Sequence, residues 1–92
     1  MKHLTDSEKD LIIAFTYGKG WTADRITREL FNLSSFTKEF YARRKQVTRY
    51  LDEIESKMNC KELRLMELLE KSDEILKQYY TKRGSLNLTV GV

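Results

Sequence analysis

The sequence predicts an all-α protein, an N-terminal three-helix unit followed by a long C-terminal helix, and three observations carry that prediction. The chain contains no proline, the residue that most strongly breaks helix interiors. Apolar residues recur at spacings of three, four and seven along most of its 92 residues, which is the period of a helix. Threonine or serine stands ahead of these runs and glycine or asparagine behind them, where helix starts and stops belong.

The first helix opens at Thr5, whose hydroxyl can cap the first turn while Glu8, three residues on, reaches back. Leu11, Ile12 and Phe15 then share a face. Gly18 and Gly20, in Tyr17-Gly18-Lys19-Gly20-Trp21, end the helix, with Gly18 placed to take the left-handed conformation. Thr22 caps a second helix over residues 23–31, with Asp24 near the positive end of its dipole and Ile26 and Leu30 turned inward. Trp21 is expected to close the corner between the two helices, and Asn32 to terminate the second.

Ser34 or Ser35 opens the third helix. Its apolar seam is Phe36, Phe40, Val47, Leu51, Ile54 and Met58. Arg43 and Arg44 interrupt that seam, and two unpaired arginines are too costly to bury, so the helix is exposed there or leaves the core there. Asn59 and Glu62 read as a second cap and partner that separate a fourth helix over residues 61–80, the alternative being one continuous helix from 35 to 82. In the fourth helix Leu65, Ser72 and Tyr79 are seven apart, as are Leu68 and Ile75, and Leu69 and Leu76, a stripe wider than a two-stranded zipper needs. From Gly84 the period changes to two, with Leu86, Leu88, Val90 and Val92 alternating with polar residues: a short strand or a free end. The division expected is therefore 1–58 for the three-helix unit, 59–83 for a helix that dimerises or folds back, and 84–92 for the tail.

Composition excludes several classes of function. Cys60 is the only cysteine, so no internal disulfide forms, which suits a reducing cytoplasm. His3 is the only histidine, which leaves no Cys/His zinc set and no histidine-based nucleophile device. No apolar run is long enough for a bilayer, and the first residues lack a signal-peptide core. The acids of the second half lie between seam positions, as solvated charges do, and no glycine-rich phosphate loop occurs. Neither an enzyme nor a cofactor is expected, nor a membrane partner.

Charge is the feature that points to a partner. Residues 25–50 hold Arg25, Arg28, Lys38, Arg43, Arg44, Lys45 and Arg49 against Glu29 and Glu39, a balance of +5 in a chain of net charge +3, whereas residues 51–80 carry −3. A concentrated basic field is the footprint of a polyanion, most commonly nucleic acid. Arginine can bond the paired acceptors of guanine and Gln46 can bond adenine in two places. The nucleic-acid candidates are therefore Arg43, Arg44, Lys45, Gln46, Thr48 and Arg49 for the groove, with Lys38, Arg25 and Arg28 toward phosphates. The competing reading of the same charges is a solvated helix face, in which Arg43 or Arg49 pairs with Glu39 or Glu53 four residues away and Arg44 and Lys45 stay unpaired.

The stretch from Leu4 to Leu30 resembles the first two helices of helix-turn-helix proteins of bacteria and phages. Trp21-Thr22-Ala23-Asp24-Arg25-Ile26-Thr27-Arg28-Glu29-Leu30 is similar to the second helix of that family, and residues 42–51 resemble the third helix of its homeodomain-like members. The resemblance implies double-stranded DNA as partner and a role in transcription regulation. A homodimer through Leu65, Leu68, Leu69, Ile75, Leu76 and Tyr79 would supply two half-sites. The rival expectation is a small helical interaction module, such as a phage-encoded inhibitor whose basic helix occupies a nucleic-acid groove of a host protein.

Overall fold

The computed structural model describes residues 3–34 and 37–84, with side chains to residue 81. Among these residues it is all-α: α1 (Asp6–Ile13), which continues into a π-helical turn (Ala14–Gly18), α2 (Ala23–Phe31), α3 (Lys38–Asn59) and α4 (Leu65–Gly84). The alternating tail from Leu86 onward lies outside the described residues.

The caps of α1 and α2 form as their residues dictate. Glu8 N donates to Thr5 Oγ1 at 3.1 Å, and Thr5 N donates to Glu8 Oε1 at 2.8 Å. These two bonds satisfy two amides that a helix start leaves without partners. Thr22 Oγ1 accepts from Arg25 N at 3.3 Å. The third helix begins later than its serines suggest, because Thr37 caps it by accepting from Phe40 N at 3.0 Å. That start makes Phe40 the first buried residue of α3.

One device ends three successive helical segments. Gly20, Asn32 and Lys61 adopt left-handed φ values of 69°, 52° and 62°. The amide after each reaches back along the helix: Leu33 to Arg28 at 3.2 Å and Glu62 to Lys57 at 2.9 Å span five residues, the Schellman arrangement, and Trp21 to Phe15 at 3.0 Å spans six, one more, as the wider π turn requires. Two expectations are corrected by this geometry. The left-handed glycine is Gly20, not Gly18, because the π turn carries the helix through Gly18 before it closes. Asn59 is the last residue of α3 and caps nothing: Lys61 turns the chain, and the amides of Glu67 and Leu68 take the Arg64 carbonyl as α4 begins. The break over residues 60–64 also excludes a continuous helix.

The core is built around the end of α1. Ile12, Phe15, Ile26 and Val47 form its centre, with Trp21, Leu30, Leu76 and Tyr79 packed on it. Trp21 covers the α1–α2 corner as expected and stacks on Phe15 at 4.6 Å between centroids, while Tyr79 meets the same ring edge-on at 5.4 Å. A smaller cluster joins Ile13, Ile54 and Leu68. Burying four consecutive residues, Ile12 to Phe15, is more than one face of an ordinary helix allows. The wider π turn presents them to α2 and α3 on one side and to α4 on the other.

Helix α4 folds back on α1 and its π turn rather than lying along α3. The inward stripe is Leu68, Ser72, Leu76 and Tyr79. A Cβ on Gly18 would lie 2.7 Å from Leu76 Cδ1 and 3.2 Å from Ser72 Cβ, so the absence of a side chain there is what permits the approach. Ser72 Oγ is buried between the carbonyls of Leu68, at 2.6 Å, and Ile13, at 3.3 Å. Trp21→Ala should cost about 3 to 5 kcal/mol by emptying the space over Phe15, read as a large fall in thermal midpoint. An unchanged midpoint would show that the ring is not part of the core.

Candidate nucleic-acid interface

Helix α3 carries seven of the nine candidate residues on a 22-residue element, and the structure divides them by task. Phe40, Val47 and Ile54, seven apart, are buried on its inner side. Arg43 and Arg44 flank that stripe and grip opposite ends of α2. Arg44 Nη1 lies 3.0 Å from Oδ1 of Asp24 in the first turn of α2. The Arg43 guanidinium sits 4.4 Å from the centroid of Phe31, the last residue of α2. Arg43 Nη1 also donates to Gln46 Oε1 at 3.1 Å.

The expectation that Arg44 would find no acid is thereby corrected. Its partner is twenty residues away in sequence, brought close by the α2–α3 crossing. The seam interruption is explained as well: the two arginines straddle the helix that α3 packs against, with their charged heads at its margins. Each contact is modest, because both side chains of the Arg44–Asp24 pair are about half exposed and such pairs contribute about 0 to 1 kcal/mol. A cation over an aromatic face adds about 0.5 to 1 kcal/mol.

Lys38, Lys45 and Arg49 take a different position. Spaced seven and four apart, they lie on the side of α3 opposite Phe40, Val47 and Ile54, and all three are exposed. Tyr41 is exposed beside them at 47%. The eleven helical steps from Lys38 to Arg49 make this ridge about 16 Å long, and Glu39 is the only acid between its ends. Thr48, half-buried, donates to the Lys45 carbonyl at 3.0 Å, so its hydroxyl is held by the backbone of its own helix. On α2, Arg25 is exposed and lies 4.2 Å over the Trp21 ring, while Arg28 is exposed on the same helix. The candidates thus form a ridge on α3 and a pair on α2, with two arginines between them committed to packing.

Beside the ridge runs an open groove of about 640 Å³ between α3 and the chain around the start of α1. Its α3 wall holds Ala42, Lys45, Gln46, Arg49, Tyr50 and Glu53, and its other wall holds His3, Leu4 and Lys9. Lys9 Nζ is 5.7 Å from the Tyr50 ring centroid. Burial raises the Tyr50 phenol above its ordinary value, and the carboxylates of Asp10, Glu53 and Asp6 raise it further, so the phenol stays a neutral hydrogen-bonding group at physiological pH. Composition alone did not single out Lys9, because it lies outside the basic stretch and only the fold brings it to α3.

The face expected for dimerisation is also divided. Leu68 is 2% exposed, and Leu76 and Tyr79 pack on the core, whereas Leu65 is 53% and Leu69 39% exposed. Ile75 is half-buried. Met66, beside them, is 67% exposed.

Among the described residues no group of three or more His, Cys, Asp or Glu is arranged to hold a metal ion, and no helix is long and apolar enough to cross a membrane. No protein-family model, curated protein or solved structure matches the chain.

Proposed function

We propose that this protein binds double-stranded DNA through the exposed ridge of α3, and that it acts as a small regulator of transcription or of another DNA transaction. The observation that carries the reading is the ridge itself: Lys38, Lys45 and Arg49 on one exposed face of a helix whose opposite face anchors the core. A major groove accepts a helix of this width, and a rigidly held helix presents its side chains in fixed register. Lys38 and Lys45 suit phosphate contacts, and Arg49 suits either phosphate or guanine. Arg25 and Arg28 on α2 extend the positive surface. Arg43 and Arg44 serve the site indirectly, as positioning residues that hold α2 against α3. The connection between these helices runs from Asn32 to Thr37 and is longer than the three- to four-residue turn of a helix-turn-helix.

The apolar corner formed by Leu65, Met66 and Leu69 supports a homodimer, which would double the contacts to DNA. The same corner favours the rival reading, a helical interaction module that docks on a host protein, and measurement of the oligomeric state separates the two. Three residues at the start of α4 replace the six-residue stripe as the proposed contact, since Leu68, Leu76 and Tyr79 are used within the chain.

Duplex binding should weaken steeply with salt. Replacing Lys38, Lys45 and Arg49 by alanine should flatten the slope of log affinity against log salt by about 0.9 per phosphate contact removed, with the thermal midpoint retained. Replacing Arg43 and Arg44 should instead lower the midpoint, by an amount corresponding to about 1 kcal/mol. Unchanged duplex binding by the triple variant would contradict the proposal. For the dimer, Leu65→Glu with Met66→Glu should convert the species seen by light scattering from dimer to folded monomer. A wild-type chain that scatters as a monomer at high micromolar concentration would contradict it.

A further inference from the structure

We infer that the groove between α1 and α3 seats one sugar-phosphate strand of the bound duplex, and that Lys9 is a phosphate-contacting residue on its far wall. This rests on the reading of α3 as the DNA-binding helix and extends it to α1. The groove is the natural continuation of the ridge, because Lys45 and Arg49 belong to both: they are exposed on α3 and also line the cavity. One helical turn separates them, about 6 Å, so they can follow successive phosphates along a strand. Lys9 supplies a third cation from the opposite wall, against one lining carboxylate, Glu53.

The shape and chemistry of the cavity agree with a strand and not with an apolar ligand. It is open to solvent, each wall contributes an apolar side chain, Leu4 on one and Ala42 on the other, and its cations come from both walls. The apolar side chains match deoxyribose and the cations match phosphate. Lys9 is held in place, since its ammonium lies near the Tyr50 ring and one turn of α1 fixes it relative to the Thr5 cap. A charge positioned before binding loses less side-chain freedom on contact than a free lysine does. The contact also explains how a helix outside the basic stretch would set the angle of α3 on the duplex: phosphate contacts from two elements fix orientation, while those from one allow rotation.

The test is a fluorescence anisotropy titration of a labelled random-sequence duplex at several salt concentrations, with the full chain and four variants. Lys9→Ala and Lys9→Gln, the second of which keeps the length of the stem, should each flatten the salt slope by about 0.9 and weaken binding equally for all sequences. Lys9→Arg should restore the wild-type slope, and Lys77→Ala, on α4, should leave it unchanged. Circular dichroism of each variant monitors the fold. A wild-type slope in Lys9→Gln, alongside salt-dependent binding by the wild type, would overturn this inference and leave the α3 reading intact. A flattened slope that Lys9→Arg fails to restore would also overturn it. Absence of salt-dependent duplex binding by the wild type would overturn both.

Discussion

Everything else in this fold depends on how closely α4 approaches the π turn of α1. At Gly18 there is no side chain to hold the helices apart, and a Cβ there would come within 2.7 Å of Leu76. At Ser72 a small hydroxyl is buried and donates to the carbonyls of Leu68 and Ile13, so the contact is close without leaving that polar group unsatisfied. The approach brings Leu76 and Tyr79 onto the cluster of Ile12, Phe15, Ile26 and Val47. A 92-residue chain has a thin core. Here α4 completes it, and α2 and α3 then have a rigid platform on which to cross.

That platform lets the basic residues do two kinds of work. Arg43 and Arg44 hold the ends of α2, while Lys38, Lys45 and Arg49 remain on the exposed side of α3. A run of neighbouring cations in the sequence therefore separates on the helix according to angle, since residues one apart point in directions about 100° apart. The acids of the second half lie on α4, on the last turns of α3 and, for Glu62, on the connection between them, which keeps the electrical asymmetry of the sequence in the folded chain. Lys71 pairs with Asp10 at 3.2 Å, which ties the outer side of α4 to α1.

The sequence was most legible where the governing interactions are local. Thr5 with Glu8, Thr22 and Asn32 each act within a few residues of themselves, and all three perform as their residue types require. The all-α class and the extent of α2 follow from the same short-range rules. What could not be read depends on residues far apart in the chain. Gly18 looks like a terminator until Leu76 and Ser72 are seen beside it, and Arg44 looks unpaired until α2 delivers Asp24. The π turn has no composition signature, and it alters which residues of α1 face the core. The stripe on α4 was correctly read as apolar, but its heptad spacing does not reveal that Leu68, Ser72, Leu76 and Tyr79 meet α1 within the same chain. The position of Lys9 is hidden for the same reason, since only tertiary structure places it across from Lys45 and Arg49.

Helix α4 docks on the π turn of its own chain. Nuclear Overhauser contacts between the Leu76 methyls and the Gly18 α-protons test it most directly, measured in uniformly labelled protein and again in an isotope-filtered mixture of labelled and unlabelled copies. A strong contact is expected in the uniform sample and none between copies in the mixture, at every concentration. A contact that appears between copies, or a uniform sample without it, would show that α4 does not dock within its own chain.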